Sequence, residues 1–211
     1  GFDSSDLEEI SEITQEQFLI PVIGWLHNML STERLVSEIE QASTRISDLV
    51  QSVKTYSHMD RGQEKEMVDL PQGIDSTLTM LSHKLKEKHI QVHKYYDPQA
   101  RKVKGFVSEL NQVWTNLIDN AIDAMEPQGN LTISTQPKND KVLVSLKDDG
   151  SGIPPELLHH IFDPFFSTKE VGKGTGLGLD IVKKILDQHQ AEISVESKPG
   201  ETVFKVLFLV N

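Results

Sequence analysis

Apolar residues recur along this chain in two periods, and the change between them divides it. From Ser31 to Met59 the positions Leu35, Ile39, Ala42, Ile46, Leu49, Val53 and Tyr56 return at steps of three and four, which makes one stripe on a long amphipathic helix. Ser31 or Thr32 caps its start, with Glu33 in the first turn. Such a stripe needs a partner. The preceding run, "EQFLIPVIGWLHNML", is apolar but interrupted by Pro21 and Gly24, which predicts a shorter, kinked or broken helical piece. "RGQEKEMVDLPQG", Arg61 to Gly73, is polar with Pro and Gly and reads as a boundary. The expected division is a helical extension over 1–62 and a globular domain over 63–211.

Beyond Gly73 "IDSTLTMLSHKLKEK" keeps helical period, then "HIQVHKYY" alternates as a strand does. A helix is expected from Val107 to Met125, strands at "NLTISTQ" and "KVLVSLKDD", a helix from Pro155 onward and another from about Gly178 to Gln190. The strands "AEISVES" and "TVFKVLFLV", joined by the turn "KPGE", close the chain. Helices and strands are segregated rather than strictly alternating, which predicts an α+β two-layer sandwich with helices on one face of a mixed sheet.

Composition narrows the function. The chain has 211 residues, 37 % of them hydrophobic, enough for one domain plus an extension. Its net charge of -11 argues against a nucleic-acid or anionic-membrane binder, which needs a basic face. There is no cysteine, so disulfides and thiolate metal sites are excluded, and the eight histidines lack metal-ligand spacing. No apolar run approaches the ~20 residues of a membrane-spanning helix, and no signal peptide opens the chain. The opening "GFDSSDLEE" reads as a cut edge rather than a natural start.

Three stretches carry candidate chemistry. In "SELNQVWTNLIDNAIDAM" the residues Glu109, Gln112, Asn116, Asn120 and Asp123 share one narrow helical arc opposite Leu110, Trp114, Leu117, Ala121 and Met125. Solvated faces favour Lys, Glu and Arg, whereas Asn is a poor helix former. Two asparagines one turn apart suit a hard cation such as Mg²⁺, which takes one or two protein oxygens and completes its shell with water and phosphate. "DDGSGIP", 148–154, follows a strand and by itself is an ordinary turn. Gly172, Gly174, Gly176 and Gly178 alternate into a helix start, where backbone N–H groups and the helix dipole favour an anion. Neither a Walker loop nor a Rossmann fingerprint is present, and Lys169 and Lys173 flank the glycines.

Taken in order, the amide helix, "DDGSGIP", "IFDPFFSTK" and "GKGTGLGLDIVKKIL" resemble the N box, first glycine box, F box and second glycine box of bacterial sensor histidine kinases. These belong to the ATPase superfamily shared with gyrase, MutL and the heat-shock chaperone, and the resemblance covers about Val68 to Asn211. It implies a Bergerat-type ATP-binding fold in which Asp148 accepts a hydrogen bond from the adenine amino group. Gly150 and Gly152 then keep side chains off the purine, with Ile153 beside them. It implies that Asn120 binds Mg²⁺, with Asn116 nearby. It implies that a lid from Phe166 to Gly176 closes over the phosphates, with Lys169 and Lys173 as the candidate cations. It also implies that Gly174, Thr175, Gly176, Leu177 and Gly178 bind the nucleotide, and that Thr202 lies near the nucleotide floor. Where the gyrase and MutL branch carries a water-activating glutamate, this chain carries Asn116, which is no base, so hydrolysis is expected to be slow.

The resemblance also implies an acceptor histidine followed by an acid, on the first of two helices of a dimeric bundle. His27 is followed by Asn28, and His58 stands at the far end of the long helix. Neither fits, so 31–59 reads as the second bundle helix, with the acceptor expected upstream of Gly1. The implied partners are ATP, a response-regulator receiver domain and a second copy of the chain through its helical extension, in the cytoplasm. No nucleic acid and no membrane contact are expected. The competing expectations are a gyrase-type ATP-driven switch, a serine kinase sharing the same pocket, and a non-catalytic interaction module.

Overall fold

A computed structural model describes residues 16–58, 64–100, 102–169 and 174–210. The chain divides into two compact units between Gln51 and Ser52. The first carries most of α1, Glu16–His58, an uninterrupted helix that runs through Pro21 and Gly24. The expected break is therefore absent, and so is the expected start capped by Ser31 or Thr32: both stand inside the helix, where Thr32 Oγ1 donates to Asn28 O at 2.7 Å. Pro21 stands in the second turn, so it forfeits one hydrogen bond close to an end where donors are unpaired anyway. Phe18, Ile20, Ile23, Trp25, Leu35 and Ile39 are exposed on α1, while Leu26 is buried. The side chains of Ile46, Leu49, Val53, Tyr56 and His58 lie outside the described residues.

The second unit holds β1 (Glu66–Val68), α2 (Leu70–Met80), α3 (Ser82–Glu87), β2 (Gln91–Tyr96), β3 (Val103–Gly105), α4 (Val107–Ala124), β4 (Asn130–Lys138), β5 (Lys141–Asp148), α5 (Gly178–Gln188), β6 (Glu192–Lys198) and β7 (Glu201–Leu209). Five strands form one sheet in the order β2-β4-β5-β7-β6. β2 runs parallel to β4, and the other neighbours are antiparallel. Alternation decides which face is covered. Leu131 and Ile133 on β4, Val142, Val144 and Leu146 on β5, and Phe204, Val206 and Phe208 on β7 are buried. They meet Leu110, Val113, Trp114, Leu117, Ile118 and Ile122 of α4 and Val182, Ile185 and Leu186 of α5 in one core. The α+β sandwich is as expected, since two helical stripes and one sheet face leave no other burial for so much apolar surface.

Three local expectations change. The expected boundary at 61–73 contains β1, which pairs antiparallel with β3, and the start of α2, capped by Asp69 Oδ1 accepting from Gln72 N at 3.2 Å. The helix expected over 74–88 is two helices separated at Leu81. The helix expected from Pro155 is only a short 3₁₀ turn, Pro155–Leu157. It is followed by turns in which His160 N bonds Leu157 O, Asp163 N bonds His160 O and Phe166 N bonds Asp163 O. Pro164 denies Asp163 helical geometry, so the stretch is too short to nucleate an α-helix.

Candidate functional site

The inward phase of β5 that buries Val142, Val144 and Leu146 carries on to Asp148, which is 3 % exposed. A carboxylate thus occupies a core position at the strand end. The same phase on β7 ends at Thr202, also 3 % exposed. Register pairs Asp148 with Thr202 and Thr202 with Ser197, a row of three polar side chains across three strands. Ser197 Oγ and Thr202 Oγ1 are 2.8 Å apart, and Ile153 N donates to Ser197 Oγ at 2.8 Å.

Asp148 Oδ1 accepts from Gly150 N at 3.0 Å, and among the described residues no cation pairs with it. Burial pushes its carboxyl up to about 6, the Gly150 N–H opposing and the charge of Asp149 adding to the rise. Asp149, one residue on, points the other way. Its two oxygens accept from Asn130 N and Asn130 Nδ2, each at 2.8 Å. Burial works upward on Asp149 too, but these bonds outweigh it and hold the carboxyl below the usual range. The two acids therefore divide the work: Asp149 ties the turn to β4, and Asp148 is left as a buried acceptor suited to an uncharged donor.

The glycines here answer first to the fold. A Cβ on Gly150 would stand 2.6 Å from Ala124 O, and one on Gly152, at φ +80°, 2.4 Å from Lys198 O. With Ser151 N donating to Ala124 O at 3.1 Å, Gly150 seats the turn against the end of α4, and Gly152 seats it against the end of β6.

The polar arc of α4 is solvated only at its end, at Asp123. Glu109, Gln112, Asn116 and Asn120 are half-buried. Its first turn belongs to another cluster: Glu109 Oε2 lies 3.8 Å from His189 Nδ1, and burial raises the Glu109 carboxyl against the pull of Lys65. Farther along, Asn116 Nδ2 donates to Gln112 O at 3.0 Å. Asn116 Oδ1 lies 3.1 Å from where a Cβ on Gly178 would stand, so α5 starts against Asn116. The Asn120 amide engages no described residue. That free oxygen, on a rigid helix, fits Mg²⁺. Lys169 Nζ donates to Asp123 Oδ2.

α4 is thus the spine on which the expected motifs converge. Asn116 meets the start of α5, Asp123 meets Lys169, and Ala124 meets the turn that carries Asp148. Thr175, Leu177 and Gly178 lead into α5, Thr175 Oγ1 accepting from Leu177 N at 3.4 Å. Gly176, at φ +68°, would put a Cβ 2.4 Å from the Phe165 carbonyl carbon, and Gly174 lies beside Ser167 and Lys169. The glycines pinch the two ends of the segment together. Lys173 lies outside the described residues. Ser197 was missed in the sequence, although its phase with Ile193 and Val195 carried a signal; Asp123 was placed on the polar arc and Asp149 within "DDGSGIP", but neither was given a role of its own.

Residues 105–210 match the model of the histidine kinase-, DNA gyrase B-, and HSP90-like ATPase family. Sporulation kinase C of Bacillus subtilis (strain 168) is 35 % identical over 179 residues, covering 82 % of this chain and 39 % of that protein. The chain therefore spans about two-fifths of that relative's length. Among solved structures, the nucleotide-free catalytic domain of histidine kinase ThkA is 32 % identical over 70 % of this chain and 97 % of its own, with a TM-score of 0.64. ThkA in complex with the response regulator protein TrrA shares the fold at a TM-score of 0.69, with 24 % identity over 99 % of this chain and 62 % of that one. With half of its length in the family model, the chain belongs to the histidine kinase-, DNA gyrase B-, and HSP90-like ATPases.

Proposed function

We propose that this chain is the ATP-binding, phosphoryl-donating part of a cytoplasmic protein-histidine kinase, with 63–211 as the catalytic domain and 1–62 as part of a dimerisation and phosphotransfer bundle. The observation that carries the reading is the convergence of Asn116, Asp123 and Ala124 of α4 on α5, Lys169 and the Asp148 turn. Asp148 orients the purine by accepting from its amino group. Gly150, Gly152, Ile153 and Thr202 shape the floor around it. Lys169 and the backbone of 174–178 serve the phosphates, with Lys173 a further cation by its place in the sequence. Asn120 holds Mg²⁺, which supplies neutralisation of phosphate charge.

Asn116 separates transfer from hydrolysis. Its amide is committed to Gln112 O and takes no proton from water, so the γ-phosphoryl group waits for a nucleophile that needs no base. A neutral imidazole is one. The exposed apolar side chains of α1, Trp25, Leu35 and Ile39 among them, support pairing with a second copy. The ThkA–TrrA complex supports a receiver domain as the next acceptor.

The test is incubation with γ-labelled ATP, with and without an added helical hairpin bearing a histidine–acid pair. The expected result is acid-labile label on the added histidine, lost in Asn120→Ala, and little label on the chain alone. Acid-stable phosphoserine, or rapid phosphate release without any acceptor, contradicts the reading in favour of a serine kinase or a gyrase-type switch.

A further inference from the structure

A cation serves phosphate oxygens only when it is free to reach them, and here Lys169 is engaged. Its Nζ donates to Asp123 Oδ2, and about a third of each side chain is exposed, 34 % and 36 %. Asp123 stands three residues beyond Asn120 on α4, so the two side chains are surface neighbours. The backbone supports the pairing. Lys169 N donates to Ser167 Oγ at 3.2 Å, and a Cβ on Gly174 would stand 3.2 Å from Lys169 Cδ. The stem of Lys169 thus runs along the returning backbone with its ammonium on α4.

We propose that the Asp123–Lys169 pair is a latch that polyphosphate opens, which makes Asp123 a determinant of nucleotide affinity. The inference rests on the nucleotide reading above. Asp123 and the phosphate oxygens compete for one ammonium group, so part of the attraction between Lys169 and ATP is spent on separating the pair. An ion pair this exposed is weak, so several phosphate charges outcompete one carboxylate. The same competition ties the position of 165–169 to the state of the site: with Asp123 as partner the segment rests on α4, and with phosphate as partner it turns to the nucleotide.

A double-mutant cycle tests this, with ATP and adenosine titrated into the parent, Asp123→Asn, Lys169→Met and the double variant. Asp123→Asn is expected to tighten ATP about two- to fivefold, the range of an exposed ion pair, and to leave adenosine unchanged. Lys169→Met should weaken ATP, and in that background Asp123→Asn should no longer tighten it. A parent that binds both ligands while Asp123→Asn leaves ATP binding unchanged or weaker overturns the latch alone. So does a tightening that persists without Lys169, since Asp123 then acts as a plain repulsive charge. A parent that binds neither ligand overturns the nucleotide reading, and the latch with it.

Discussion

The two halves of the site are prepared to different degrees. On the base side, Asp148, Thr202 and Ser197 form a row set by strand register, and the turn after β5 is bonded to both β4 and α4. Its glycines abut backbone carbonyls that cannot move without moving α4 or the β6–β7 turn. On the phosphate side, the segment from Pro164 to Lys169 is exposed apart from Phe166. Lys169 is held there by a carboxylate on the protein itself, and Gly174 abuts only side chains. Gly176 is the exception, a rigid anchor where the loop rejoins α5. The difference teaches that selectivity for the base is built into the core, where rearrangement is costly, while contact with the phosphates is left to groups that exchange partners cheaply.

Glycine substitutions should expose this contrast most strongly. Gly152→Ala places a Cβ at positive φ against Lys198 O and is predicted to cost about 2–4 kcal/mol of stability. Gly174→Ala meets Ser167 Oγ and Lys169 Cδ, the ends of movable side chains, and should cost under about 1 kcal/mol. Denaturant melts of both variants decide the matter. Similar losses would erase the distinction between the two halves.

Asp148→Asn should improve the fold while damaging binding. Because the folded-state carboxyl is raised from 3.8 to about 6, its burial costs nothing below about pH 4. The cost sets in as pH rises from about 4 to about 6 and is complete above that, at roughly 1–3 kcal/mol. The carboxamide of the variant carries no such charge, so its stability advantage should grow over that window and then level off. Its ATP affinity should fall about tenfold or more, the worth of a hydrogen bond to a charged group. An advantage that does not vary with pH would mean the carboxylate is better solvated than its burial implies.

A smaller effect should appear in amide exchange. Without ligand, the amides of β5 and β7 beside Asp148 and Thr202 should exchange slowly, and those of 165–169 and 174–176 rapidly. An ATP analogue should slow the second set and hardly change the first. Unchanged exchange of the second set at saturating ligand would refute closure over the phosphates.

Legibility in the sequence followed the same line. β4, β5, β6, β7, α4 and α5 stand where period-two and period-3.6 patterns placed them, because each packs one face against the common core. The inward phase of Asp148 was readable by counting from Val142, but Thr202 and Ser197 as its row-mates depend on register between strands more than fifty residues apart in the chain for β5 and β7. β1 and β3 escaped because three residues show no period. α1 escaped in part because one proline near a helix end was given the weight of a break. The Lys169–Asp123 pair left no trace, since an ion pair between an exposed loop and a helix 46 residues away follows from neither propensity nor pattern.

The central claim is that a buried carboxylate on β5 reads adenine, and calorimetric titration of the chain with ATP and with GTP, each with Mg²⁺, tests it most directly. Guanine presents a carbonyl oxygen where adenine presents an amino group, so Asp148 would face an acceptor instead of a donor. ATP should bind at least about tenfold more tightly than GTP, and Asp148→Asn should abolish most of that preference. Equal affinities for the two nucleotides, or an Asp148→Asn variant that retains the full preference, would contradict the account.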